Sequence, residues 1–324
     1  MSDIPEDDVA DDVSVTPRNR KFDWTFLIGV AYSAIVPVVI LGGGSLLGPP
    51  AVKDSNGIIV IAVLLPILMG LAAAFGWRKP DLSVWRVIGW TVGAFFIDLL
   101  LVGILAREGI FCLLIISPLI LLLMGIGVLV GKLVFRRKST RLNLSLAALL
   151  GLFALIDIVS PHHYSALVAD TIIIHAPVSK VWPHVVAFPE ITSKPSYWFF
   201  RIGLPMPAST TVEGYRKGAG RKCIFSNGLV FDEVMTEFEP DQRLTFDITH
   251  QPEDPEIMGH LSLQRGQFIL TDNGDGTTTL TGNSWYVLHT FPAWYFDLWA
   301  NSIVRNVHLR VMEHIRDLSE GKTM

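Results

Sequence analysis

The chain has 324 residues, half of them hydrophobic, a mean hydropathy of +0.45 and a formal net charge of -4. That is too apolar for an ordinary soluble enzyme of this size, and no basic block of the kind that neutralises phosphates is present, so nucleic acid is excluded as a partner. The apolar residues concentrate between Trp24 and Val159, whereas the sequence after Asp170 is a mixed globular pattern, so two parts with different solvents are expected. Of the two cysteines, Cys112 lies in an apolar run and Cys223 in the globular half, which gives no reason to expect a disulfide.

In chain order, residues 1–22 form an acidic tail with Asp3, Glu6, Asp7, Asp8, Asp11 and Asp12, expected to be disordered and cytoplasmic. The long apolar run behind it lacks a small-residue cleavage pattern, so a cleaved signal peptide is not expected. Residues 23–160 are read as a transmembrane helical bundle of about five helices. The stretches are Trp24 to Leu47, Gly57 to Phe75, Val87 to Ala106, Gly109 to Gly131 and Leu142 to Val159, each long enough for a bilayer core and nearly free of charge. Arg18, Arg20 and Lys21, then Arg78, Lys79 and Arg86, then Lys132, Arg136, Arg137, Lys138 and Arg141 fall in alternate loops, which the positive-inside rule assigns to the cytoplasm. Five crossings from a cytoplasmic N-terminus place the C-terminal domain in the periplasm of a bacterial inner (cytoplasmic) membrane protein, and an even number would reverse this. Asp98, within the third stretch, and Asp157, at the end of the fifth, are intramembrane polar candidates, since ionisable groups in lipid are costly. The other reading is a hydrogen-bonded or protonated Asp98 inside the bundle and an Asp157 at headgroup level beside His162 and His163.

From Asp170 the pattern becomes a strand to His175, then a short helix opened by Ala176-Pro177-Val178-Ser179. Further strands are expected at Arg221 to Asn227, Leu229 to Phe238, Arg243 to His250, Gln264 to Thr271 and Thr277 to His289, with Asn273-Gly274-Asp275-Gly276 as a turn. A long amphipathic helix closes the chain from about Ala293 to Leu318, its stripe carried by Phe296, Ala300, Ile303, Val304, Val307, Val311, Ile315 and Leu318.

The run Thr171-Ile172-Ile173-Ile174-His175-Ala176-Pro177-Val178-Ser179-Lys180-Val181-Trp182 resembles the opening of the SRPBCC superfamily (START-like, polyketide cyclase/dehydrase and lipid transport). Gly218-Ala219-Gly220-Arg221, Glu233-Val234-Met235-Thr236-Glu237-Phe238-Glu239-Pro240 and Arg243-Leu244-Thr245-Phe246 are similar to its strand pattern in the same order. Over residues 165–324 the resemblance implies a C-terminal α+β helix-grip domain, a curved antiparallel sheet around the long C-terminal helix, with an apolar cavity between them. The whole arrangement also resembles bacterial multi-pass membrane proteins that end in this domain.

No nucleophile, acid/base pair or metal-ligand spacing stands out among the nine histidines and two cysteines, and no cofactor is expected. Glu233 alternates with Phe231 and Met235, which puts a carboxylate either on an apolar strand face or, if the outer face is merely mixed, in solvent. Glu233, His308 and Asp247 are the catalytic candidates. Trp198, Phe225, Phe231, Phe246, Phe268, Trp285, Tyr286, Tyr295 and Trp299 are the candidate cavity lining. Three uses of these aromatic residues stay open: a ligand cavity, an outer-leaflet contact, or core filling. The expected function is a membrane-tethered module for a lipid or other apolar small molecule. The alternatives are a cyclase- or dehydratase-type enzyme on an apolar substrate, and a structural protein with an unidentified protein partner.

Overall fold

A computed structural model describes residues 24–42, 63–78, 82–106, 109–135, 163–254 and 260–322. The acidic tail, the stretch Leu142 to Val159 and Asp157 lie outside the described residues. The described residues of the N-terminal half hold four apolar helices: α1 (Trp24–Pro37, continued by a wider turn to Gly42), α2 (Leu65–Gly76), α3 (Val84–Ala106) and α4 (Ile110–Phe135). Three of them are long and apolar enough to cross a membrane, so the expectation of about five exceeds what the described residues hold. The second expected stretch is represented by α2, whose 12 residues reach roughly 18 Å at helical rise, short of a hydrocarbon core of about 30 Å.

Helices α1 and α2 pack antiparallel, with Gly29 against Gly76, while α2 and α4 run parallel and meet through small residues. A Cβ on Gly70 of α2 would fall on the Met124 carbonyl of α4, and one on Gly127 would fall on the Ile67 carbonyl, so the two backbones touch where side chains are missing. Arg78, Arg86 and Lys132 gather at one end of the bundle, where the Lys132 ammonium lies 3.4 Å from the Trp77 carbonyl and the Trp77 indole donates to the Phe26 carbonyl at 3.3 Å. Asp98 is fully buried in α3 facing the buried Ser33 of α1, whose hydroxyl also donates to the Val30 carbonyl at 2.9 Å.

The C-terminal half is one seven-stranded antiparallel sheet in the order β1-β7-β6-β5-β4-β3-β2. Its strands are β1 (Tyr164–Ile174), β2 (Pro207–Val212), β3 (Gly220–Phe225), β4 (Val230–Glu239), β5 (Arg243–His250), β6 (Leu261–Asp272) and β7 (Thr278–Leu288). Strand β1 starts six residues earlier than its sequence suggests, because Tyr164 to Ala169 complete the ladder along all of β7. Strand β2, an edge strand of Ser and Thr, was not expected at all. Helices α5 (Val178–Val186) and α6 (Trp198–Arg201) fill the connection from β1 to β2, and α7 (Ala293–Ser319) follows β7. Alternation decides the faces: Val168, Asp170, Ile174, Phe231, Glu233, Met235, Phe268, Leu270, Leu280 and Tyr286 are buried, while most residues between them are not. The stripe of α7 covers that face, and at Gly282 of β7 a Cβ would stand 2.9 Å from Met312 Sδ, so the missing side chain sets how closely helix and sheet meet. This is a helix-grip-like arrangement.

Candidate functional site

The space between sheet and α7 is filled unevenly. At the end formed by the last turns of α7, Val311, Met312 and Ile315 pack with Ile174, Leu244, Leu270 and Leu280 of the sheet and Val181 and Val185 of α5, all buried. At the other end, where α7 begins, a smaller cluster of Val168, Tyr286, Leu288, Ala300 and Val304 is bordered by half-buried Ala166, Leu261, Leu263 and Phe296. Cys223, Phe225 and Ile248 are also half-buried, although their register puts them on the inner face with Phe231 and Glu233. Burial pushes the Cys223 thiol up to about 12, with Glu233 adding to the rise and Arg221 opposing it. A thiol held so high is almost wholly protonated at neutral pH, which makes it a poor nucleophile.

Two polar groups interrupt this face. Arg221 of β3 stands directly opposite Glu233 of β4, and its Nη1 donates to Glu233 Oε2 with both residues buried. Arg221 Nε also donates to the Val186 carbonyl at 3.1 Å, and its guanidinium carbon lies 4.5 Å from the centre of the Phe246 ring. Burial pushes the Glu233 carboxyl up and the adjacent guanidinium pulls it back. Glu233 therefore points inward and is held as half of an ion pair, with no free carboxylate of the kind a general base offers.

The second group lies between the two apolar clusters. Ser284 Oγ of β7 is 2.5 Å from His308 Nε2 of α7, and His308 Nδ1 is 3.5 Å from Asp170 Oδ2 of β1. Arg305, one turn back on α7, binds the other Asp170 oxygen at 2.9 Å. Burial pushes the His308 imidazole below its ordinary value, against the pull of Asp170. Sequence reading found His308 but missed Ser284, Asp170 and the role of Arg221. The signal available was alternation, since Gly282, Ser284 and Tyr286 share the inward face of β7 and His308 falls on the stripe of α7 four residues after Val304.

The remaining candidates separate. Asp247 lies on the outer face of the sheet, where Arg265 donates to it at 2.6 Å, because β5 turns Leu244 and Phe246 inward and Asp247 out. Trp285 lies on that same outer face, with Leu167 and Arg265 as its register partners, since its neighbour Tyr286 takes the inward position and donates to Asp297 Oδ1 at 2.7 Å. Phe246 and Phe268 are buried in the filled end, and the Phe225 and Phe231 rings lie 4.9 Å apart toward the looser end. Trp198 is 46 % exposed and stacks on Phe199, which in turn meets the half-buried Trp299 at 6.0 Å. Among the described residues no group of three His, Cys, Asp or Glu could hold a metal ion.

The looser end abuts α4. The Tyr295 hydroxyl, in the first turn of α7, donates to the Ile115 carbonyl at 2.6 Å, and the Phe199 ring of α6 packs on Phe111 at 6.0 Å. Pro118 has no N–H for the Leu114 carbonyl, which accepts from Ser117 Oγ instead at 2.9 Å. Trp198, Ile202, Trp294 and Leu298 are exposed on α6, just after it and at the start of α7, as are Ile110 and Leu114 on the adjoining end of α4.

Residues 165–320 match the family described as "Polyketide cyclase / dehydrase and lipid transport". No curated protein matches the chain. Among solved structures, a protein of Nitrosospira multiformis is 18% identical, with 47% of this chain and 94% of that one covered and a TM-score of 0.33. A protein of Mesorhizobium loti is 16% identical, with 49% and 100% covered and a TM-score of 0.32. Norcoclaurine synthase from Thalictrum flavum, solved with dopamine and hydroxybenzaldehyde, is 7% identical, with 50% and 91% covered and a TM-score of 0.35.

Proposed function

We propose, from the match of residues 165–320 to the polyketide cyclase / dehydrase and lipid transport family, that this protein is a membrane-tethered module that takes an apolar small molecule or lipid between its sheet and α7. The observation that carries the reading is the uneven filling of the inner face, with the half-buried end opening beside a helix long and apolar enough to span a bilayer. Exposed Trp198 and Trp294 beside that helix suit the membrane interface, where Trp side chains are enriched. The C-terminal half adjoins the start of α4, whereas Arg78, Arg86 and Lys132 lie at the opposite end of the helices, which favours a domain on the far side from the cytoplasm.

The test is native mass spectrometry of the full-length protein released from lipid nanodiscs. A stoichiometric apolar adduct is expected, and Cys223→Phe, which places a ring on the half-buried part of the inner face, should lower its occupancy about tenfold, a difference of about 1.4 kcal/mol in binding. A folded protein that releases no apolar molecule would overturn the reading.

A further inference from the structure

We infer that Ser284, His308 and Asp170 form a nucleophile, base and positioning carboxylate that transfer the acyl group of an apolar ester to Ser284 and then to water. The inference rests on the reading of the inner face as the place of an apolar ligand. Three separate elements, β7, α7 and β1, supply the three side chains, so local chain geometry does not account for their meeting. Their order of contact is the one nucleophilic catalysis requires: a hydroxyl on one imidazole nitrogen and a carboxylate facing the other.

The protons are consistent with that role. With His308 Nε2 accepting from the Ser284 hydroxyl, the ring proton sits on Nδ1 and faces Asp170 Oδ2 at 3.5 Å. Among the described residues neither of those two atoms has a hydrogen-bond partner of ordinary length, only the other at 3.5 Å, a gap that a purely structural trio buried in apolar surroundings would be expected to close. Base-to-carboxylate contacts in ligand-free catalytic sites are often long in this way and tighten with substrate present. Burial keeps the imidazole neutral at neutral pH, as a base must be, and the charged groups facing it are Asp170 from β1 and Arg305 on its own helix. His308 and Asp170 are buried, while Ser284 is half-buried and lies beside the cluster at the looser end, so the nucleophile is the most accessible of the three.

In the first step a bond forms from Ser284 Oγ to the ester carbonyl carbon, and the hydroxyl proton passes to His308 Nε2. The carbon–alkoxide bond then breaks and the leaving oxygen takes that proton, releasing an alcohol. In the second step His308 takes a proton from water, whose oxygen attacks the acyl-Ser284, and the proton returns to Ser284 as the carboxylic acid departs. Asp170 acts through His308 by holding the ring and favouring its charged form.

The experiment treats the full-length protein in detergent with an alkyl fluorophosphonate, which bonds to activated serines, and maps the adduct by peptide mass spectrometry. A single adduct at Ser284 is expected, absent in Ser284→Ala and formed about 100-fold more slowly in His308→Gln. The labelling rate should rise with pH through a midpoint below 6.5, the ordinary imidazole value. In Asp170→Asn that midpoint should move lower still, because the carboxylate no longer stabilises the imidazolium, an effect that a loss of packing alone does not produce. Melting temperatures of the three variants report that each is folded. A folded wild-type protein that retains an apolar ligand but gives no Ser284 adduct would falsify the inference and leave the ligand reading standing. An adduct that persists in Ser284→Ala sinks it as well.

Discussion

Arg221→Met is expected to destabilise the β3–β5 region by about 3–5 kcal/mol, because it leaves the Glu233 carboxylate buried without its partner. Hydrogen exchange of the β3 and β4 amides in the full-length protein measures this, since it reports opening of those strands and not of the helices. The effect should depend on pH with a definite sign. In the variant nothing opposes the upward push of burial, so the folded-state pKa of Glu233 lies above its unfolded value of about 4.5. A group with a raised folded pKa favours folding below its unfolded pKa and loses that contribution as pH rises through the folded one, so the deficit should be small near pH 4 and largest near pH 8. Glu233→Gln should show no comparable recovery in acid, because the guanidinium it strands keeps its proton throughout. The double change Arg221→Met with Glu233→Leu should restore most of the loss at neutral pH, since two apolar side chains of similar volume carry no charge to desolvate. A single-variant loss below about 1 kcal/mol at pH 8 would mean that Glu233 finds water or another partner.

The second large effect is expected at Gly127. A leucine there cannot fit while the Ile67 carbonyl occupies the space, and backbone does not move aside as a flexible side chain does. The α2 and α4 helices must separate, and a loss of about 1–3 kcal/mol is expected. Gly125→Leu, two residues earlier on the same helix with nothing within 4 Å of the added carbon, is the control. It should be neutral or slightly stabilising, because leucine is a better helix former than glycine by somewhat under 1 kcal/mol. Thermal denaturation of the two variants in detergent separates them, and equal melting temperatures would show that the helices are not packed through Gly70 and Gly127.

Much of the architecture was legible in the primary structure because its periodicities are local. The helical stripe from Phe296 to Leu318 is visible without knowledge of what it packs on, and α7 spans Ala293–Ser319. The strands β3 to β7 were legible for the same reason, being rich in β-branched and aromatic residues between turn signals. Strand β2 was not, since Ala208-Ser209-Thr210-Thr211 carries no apolar alternation and is a strand only because β3 offers it a ladder. The second half of β1 is legible from its β-branched run Thr171-Ile172-Ile173-Ile174, whereas Tyr164 to Ala169 carry no such run and are strand through their ladder with β7.

The site divides in the same way. Composition alone determined that the N-terminal half is apolar enough for lipid, and local pattern determined that the C-terminal half is a sheet with a closing helix. Tertiary structure alone decided which side of each strand faces α7, and a shift of one residue reverses every assignment. That is why Tyr286 points inward and Trp285 outward, and why Asp247 belongs to a surface ion pair while Glu233 belongs to a buried one. It also brought Asp170, Ser284 and His308 together from three elements, since such a contact is a property of distance in space and leaves no spacing in the chain to read.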